Sequence, residues 1–280
     1  MPSSKPTLCG SIAARPGVFG VAMHTAAYRA MGLDYVYVAF GTEDTAGAVA
    51  AVRTLGIRGL GVTMPHKVRI IEHLDVVEET ARTIGAVNTL VNDQGVLTGH
   101  NVDWIGAVRA IEERAPLSGQ RAAVIGAGGG ARSIVYGLLK KDCRVTVYNR
   151  SESRGRSLAA AMGAAFGGSP AALADAPPFD LLAHATSVGL GAPEDSIIPE
   201  AALRPGMIVF DSVAMPIETK LLRDAAARGC VAIPGVRMQI HQAVCQFALY
   251  TGREPDFAVM ETALLEAMVA AHAPSAAGKG

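Results

Sequence analysis

Short apolar runs alternate with amphipathic stretches along most of the chain. Residues 33–40 (LDYVYVAF) are dense in β-branched and aromatic side chains, as a buried strand requires. Helical spacing flanks them over 25–31 and 45–55. Residues 59–62 form a short apolar strand leading into the Met64-Pro65 turn, and 67–83 carry a helical pattern that stops near Gly85. Runs around 85–91 and 95–99, with Asn92-Asp93-Gln94-Gly95 between them, predict a hairpin. A helix follows over 103–114, then the linker-like segment 115–119. From there the pattern is a crisp strand–turn–helix–strand unit: 121–125, 126–130, 131–141 and 144–148. Further strands are expected at 181–183, 208–210 and 231–233. Strands alternating with helices predict an α/β fold with a parallel sheet. Helical spacing returns from 238 through 250 and over 257–271, and 273–280 reads as a frayed tail.

Composition narrows the function classes. A chain of 280 residues predicts about two domains. Lysine plus arginine and aspartate plus glutamate each total 25, so the chain lacks the basic excess of a nucleic-acid binder. No run approaches the ~20 apolar residues of a membrane span, and the first residues lack a signal-peptide core. Cys9, Cys143, Cys230 and Cys245 are scattered, which fits reduced thiols in a cytoplasmic protein. His66, His73, His100, His184 and His241 match no ligand spacing, so no metal is expected and most of them read as turn or surface residues. The 31 glycines mark tight turns or close backbone approaches.

The clearest of these is Gly126-Ala127-Gly128-Gly129-Gly130-Ala131, which fits GxGxxG/A directly after a strand and opening a helix. Gly126 permits the tight turn, Gly128 lets the backbone approach a pyrophosphate, and Ala131 lets the helix pack close to the strand. The second strand ends in Asn149-Arg150-Ser151, with Arg154 one turn on. An NAD site places a carboxylate there, whereas guanidiniums and a hydroxyl suit a 2′-phosphate. The expected cofactor is therefore NADP, with Glu152, the only nearby acid, read as solvent-facing.

Lys67, Asn88 and Asp103 each sit at a turn in the first hundred or so residues, and spacing alone does not bring them together. The segments VTMPHK, GAVNTL, GHNVDWIGA, VIGAGGGAR, YNRSESR, ATSVGL, DSVAMPIETKLL and GVRMQIHQAVCQFALYTG resemble, in order and spacing, the signature segments of shikimate dehydrogenases. The resemblance covers nearly the whole chain. It implies an N-terminal α/β substrate domain (1–103), a Rossmann-type NADP-binding domain (104–237) and C-terminal helices returning to the substrate domain (238–272). It further implies an oxidoreductase of aromatic amino acid biosynthesis, with Lys67 and Asp103 as the catalytic pair. Thr63, Asn88 and Gln242 match residues that hydrogen-bond the substrate's hydroxyls. Gly126, Ala127, Gly128, Gly129, Gly130, Asn149, Arg150, Ser151, Arg154, Ser212 and Gly235 match the NADP contacts.

The departures point to altered specificity. The family's two substrate-binding serines fall on Val18 and Gly20, its substrate tyrosine on Ala214 and the asparagine of its N-V-T segment on Gly61. Each missing contact costs ~1–3 kcal/mol, so ordinary shikimate is expected to bind poorly. RPGVFG and VAMPIET resemble the shikimate-dehydrogenase-like branch. Arg15 either takes over the substrate carboxylate or sits at the surface of a Pro-Gly turn. The expected partner is a small cyclic hydroxy acid, with no nucleic acid and no membrane, and the chain is expected to be a monomer or homodimer. The alternative is an NADP-binding sensor with vestigial activity. A folate-type dehydrogenase lacks support in the Asn88 and Gln242 segments.

Overall fold

The computed structural model describes residues 5–192 and 194–272, so the tail expected at 273–280 lies outside the described residues. The chain divides into two compact units, the first made of Met1–Ala81, Val87–His100 and Ala243–Gly280, the second of Arg82–Ala86 and Asn101–Gln242.

In the first unit, β1 (Thr7–Ala13), β2 (Tyr35–Gly41), β3 (Gly59–Val62), β4 (Val76–Val77), β5 (Thr89–Asp93) and β6 (Val96–His100) form one mixed sheet in the order β2-β1-β3-β5-β6-β4. β5 runs antiparallel to both β3 and β6, and the other pairs are parallel. The hairpin turn forms where expected because Gln94 and Gly95 take left-handed backbone angles, which suit a two-residue turn. Its first strand begins at Thr89 rather than at 85. Helix α1 (Phe19–Ala30) starts six residues before the expected 25, because Val18 offers no capping side chain to mark the start. Helix α2 (Thr45–Leu55) matches its sequence pattern, with Asp44 capping Gly47 N–H and Gly56 closing it at positive φ.

Two expectations need correction here. The apolar run 33–40 predicts a buried strand, but β2 lies at the sheet edge and only Tyr37 in it is fully buried. Residues 67–83 do not make one helix. They divide into α3 (His66–Arg69), a 3-10 turn (Ile70–His73), the short β4 and α4 (Glu79–Ile84). Ile70 and Ala81 still reach the core with Ile12, Leu60, Leu90 and Leu97, so the apolar spacing survives without a continuous helix.

In the second unit, β7 (Arg121–Ile125), β8 (Arg144–Tyr148), β9 (Ala165–Gly168), β10 (Leu181–His184), β11 (Ile208–Asp211) and β12 (Val231–Ile233) are all parallel, in the order β12-β11-β10-β7-β8-β9. This is the doubly wound order, which reverses direction between β7 and β10. Alternate residues feed opposite faces: Ala122 and Val124 join one core, Ala123 and Ile125 the other. Helices α5 (Asp103–Glu112), α6 (Gly129–Lys140), α7 (Glu152–Met162) and α8 (Lys220–Ala227) belong to this unit. Helix α9 (Gly235–Thr251) passes from the second unit to the first after Gln242, and α10 (Phe257–His272) packs on α1. No helix among the described residues is long and apolar enough to cross a membrane.

Candidate active site

Lys67 is placed by its neighbours. The cis Met64-Pro65 peptide follows β3, and His66 N–H then donates to Thr63 O at 2.8 Å. The His66 ring is fully buried, its Nε2 2.9 Å from Thr42 O and its Nδ1 2.8 Å from Thr45 Oγ1. A carbonyl only accepts, so Nε2 is the donor there. These bonds anchor the first residue of α3, and half-buried Lys67 follows it, its carbonyl accepting from Val87 N–H at 2.8 Å. Asn88 is buried in the same unit. Its N–H donates to His100 O, its carbonyl accepts from Val62 N–H, and its Oδ1 accepts from Thr89 Oγ1. Thr63 is exposed just after β3, and Arg15 is exposed in the loop between β1 and α1.

Two of the positions that depart from the family pattern, Gly20 and Gly61, are packed against Tyr37. A Cβ at Gly20 would stand 3.5 Å from the Tyr37 hydroxyl, and one at Gly61 would stand 3.1 Å from it. That hydroxyl hydrogen-bonds Ser11 and is shifted up by burial. His24 stacks on the Tyr37 ring, 4.3 Å between centroids and nearly parallel. Burial pushes the His24 imidazole down from 6.5 to about 3, against a hydrogen bond from Gln246. Gln246 also donates to Asn88 O and Thr89 Oγ1. Val18 is 59% exposed, and Ala214 half-buried beside the cis Met215-Pro216 peptide.

Asp103 and Gln242 meet within the second unit. Asp103 opens α5 with no exposed surface, and its N–H donates to Asn101 Oδ1 at 3.1 Å. Gln242 Nε2 hydrogen-bonds its carboxylate. The approach depends on Gly106, where a Cβ would lie 2.7 Å from Gln242 Cγ and 2.8 Å from Met238 O. A second clamp fixes α9 against α5: Arg237 holds both Glu113 oxygens at 2.7 and 2.8 Å, and His241 Nε2 lies 2.8 Å from one of them. Burial raises the Glu113 carboxyl, but these hydrogen bonds outweigh it and hold the group below its ordinary range.

The glycine turn has the form a dinucleotide needs. Gly126 takes φ +127, its N–H donates to Tyr148 O, and a Cβ there would lie 2.7 Å from Ala185 O. Gly128 caps α6 with extended backbone and no side chain, and a Cβ at Gly128 or Gly130 would meet open space. Room therefore remains beside the first amides of α6 for a pyrophosphate. Ala131 is fully buried against the sheet. Ser212 N–H donates to His184 O, and Gly235 abuts the Ser212 and Val213 carbonyls.

Past β8, Asn149 Nδ2 donates to Ser151 O at 2.7 Å and tightens the turn into α7. A pocket of about 310 Å³ opens there, lined by Asn149, Arg150, Glu152, Arg156, Phe166 and Ser169 among others. Arg154 is exposed on α7 but does not line it, and neither does Ser151. Glu152 is exposed, yet it faces this pocket rather than solvent alone.

Sequence reasoning missed Arg156 and β9, whose AFGG run carries too few β-formers to read as a strand. It also misjudged two histidines: His66 and His184 are buried rather than on turns or the surface. His184 bridges Asp211 Oδ1 at 2.9 Å and Thr186 Oγ1 at 2.6 Å, and Thr219 donates to the other Asp211 oxygen. The signal was a polar residue closing each of two apolar strands, LLAH and IVFD.

A doubly wound sheet whose switch-point turn leaves room for a pyrophosphate, and whose next strand ends on guanidiniums, has the form of an NADP-binding domain. The comparisons agree. The shikimate dehydrogenase substrate binding domain matches residues 18–90, shikimate / quinate 5-dehydrogenase matches 109–176, and the shikimate 5'-dehydrogenase C-terminal domain matches 235–265. Shikimate dehydrogenase (NADP(+)) of Pyrococcus abyssi is 41% identical over 248 residues, which cover 87% of this chain and 91% of that protein. A shikimate dehydrogenase-like protein of Haemophilus influenzae is 38% identical, covering 89% and 92%. Shikimate 5-dehydrogenase from Thermus thermophilus, solved with NADP(H) and shikimate, superposes with a TM-score of 0.86 at 34% identity, covering 93% of this chain and 99% of that one. The chain belongs to the shikimate dehydrogenase family.

Proposed function

We propose that the protein interconverts a shikimate- or quinate-like cyclic hydroxy acid and its 3-keto form with NADP, using Lys67 and Asp103 as its acid–base pair. The observation that carries this reading is Asp103, a carboxylate with no exposed surface that is held by Gln242. Burying a carboxylate is costly, and such groups concentrate at sites where the charge is used. Bound NADP supplies a two-electron acceptor for the hydride leaving the alcohol carbon. The hydroxyl proton must depart as the carbonyl forms, and Lys67 takes it and returns it in the reverse direction. Asp103 accepts from the substrate hydroxyl and orients the lysine. Thr63, Asn88 and Gln242 hold the remaining hydroxyls, and the exposed Arg15 guanidinium takes the carboxylate in place of the absent serines. Gly126 to Gly130, Ser212 and Gly235 cradle the cofactor, while Asn149, Arg150, Ser151 and Arg154 receive its 2′-phosphate end.

The same reading places the protein in the cytoplasm as a monomer or homodimer. Two of the relatives named above, those of Pyrococcus abyssi and Thermus thermophilus, are named as dehydrogenases, which disfavours a sensor with vestigial activity. Lys67→Ala should leave NADPH binding intact and lower kcat by about 10²–10⁴, the usual worth of a positioned proton carrier. Full turnover by this variant would refute the assignment. Arg15→Ala should raise KM and leave kcat nearly unchanged.

A further inference from the structure

Glu152 and Arg156 lie one turn apart on α7, and both line the pocket at the end of β8 beside Arg150. Arg156 Nε donates to Glu152 Oε1 at 2.8 Å, and the guanidinium carbon stands 4.9 Å from the centroid of the Phe166 ring. The Arg156 and Glu152 side chains are 64% and 70% exposed, so the ion pair itself adds little to stability. Its chemistry matters more. A carboxylate at this end of the second strand is the group that accepts from the ribose hydroxyl of NAD and repels the 2′-phosphate of NADP. Here such a carboxylate lines the same pocket as Arg150, in a chain that takes NADP.

We propose that Arg156 is a specificity determinant that screens Glu152, so that the pocket accepts a 2′-phosphate despite the acid in its wall. The Phe166 face fixes the guanidinium beside the pocket, and the Glu152 bond neutralises the carboxylate where phosphate charge would otherwise meet it. Arg156 acts through Glu152 rather than as one more phosphate ligand. The proposal rests on NADP being the cofactor and is independent of the substrate.

The test is a double-mutant cycle on binding alone, titrating NADPH and NADH into the full-length protein by fluorescence without substrate. Arg156→Ala should weaken NADPH about tenfold, the scale of an uncompensated like charge at an exposed site, and leave NADH unchanged or tighter. Glu152→Gln should hold or improve NADPH affinity. In the Glu152→Gln background, Arg156→Ala should cost no more than about threefold, because the acid it screens is gone. An equal loss in both backgrounds would make Arg156 a direct phosphate ligand and overturn the proposal. An unchanged NADPH-to-NADH ratio in Arg156→Ala would also overturn it. Both residues are exposed, and circular dichroism of each variant confirms that α7 is retained. Because no substrate is added, failure here is separable from failure of the Lys67 and Asp103 assignment.

Discussion

Returning the family's asparagine to position 61 should damage this protein. Gly61 sits in β3, paired with Ser11 on one side and Thr89 on the other. A Cβ there would lie 3.1 Å from the Tyr37 hydroxyl, 3.4 Å from Gln246 Nε2 and 3.4 Å from Ser11 Cβ. Asparagine adds three further heavy atoms beyond that Cβ, so one neighbour has to yield. Moving Gln246 breaks its bonds to Asn88 O and Thr89 Oγ1, at about 1 kcal/mol each. Moving Tyr37 disturbs its stack on His24, worth roughly 0.5–1.5 kcal/mol, and its hydroxyl's hydrogen bond to Ser11, worth about 1 kcal/mol. Either route gives about 2 kcal/mol, within the ~1–3 kcal/mol typical of overpacking. At roughly 2–4 °C per kcal/mol for chains of comparable size, Gly61→Asn should lower Tm by about 4–8 °C. Scanning calorimetry measures this, with Gly61→Ala as a milder control and shikimate KM measured alongside. An unchanged Tm together with improved shikimate kcat/KM would show that the site is merely stripped, and would refute the view that Tyr37 and Gln246 have been packed into it.

His24 should make stability depend on pH. Its folded pKa is about 3 against an ordinary 6.5, so between those values the unfolded chain binds a proton that the folded chain refuses. Stability is therefore complete above about 6.5 and falls as pH drops, by ~1.4 kcal/mol per unit, or about 2 kcal/mol by pH 5. His24→Phe should remove that slope when urea unfolding is compared at pH 7 and pH 5, and an identical slope would contradict the assignment. His184→Ala should destabilise the second unit by roughly 3–5 kcal/mol, because Asp211 keeps its burial and loses a partner. His184→Asn should lose less, since an amide can still donate to Asp211. Urea midpoints of the two variants check the order, and equal midpoints would count against the Asp211 argument.

The second unit was legible because its signals agree. Apolar runs, a glycine turn and a regular helix all point to one strand–turn–helix, and β7 and β8 form where the pattern put them. The first unit was harder to read where a residue's role depends on a distant neighbour. TLCGSIA carries glycine and serine and does not read as a strand, yet β1 lies between β2 and β3, with Gly10 glycine because a Cβ would stand 2.3 Å from Val38 O. Residues 67–83 kept a helical apolar spacing across a chain that turns twice. On the site side, Lys67, Asn88 and Asp103 could be named from their segments. Gly106, which lets Gln242 reach Asp103, and Arg156, which reaches back to Glu152, acquire meaning only once two helices or two turns are in place.

The measurement that bears most directly on the central claim is NADPH formation by the wild-type protein across shikimate, quinate and an aminoshikimate, followed by absorbance at matched concentrations. Steady turnover of at least one of these acids with NADP is expected, with a KM for shikimate raised by the absence of hydroxyls at Val18 and Gly20. No turnover of any of the three, with NADPH still binding, would contradict the claim and leave a cofactor-binding protein without the chemistry assigned to Lys67 and Asp103.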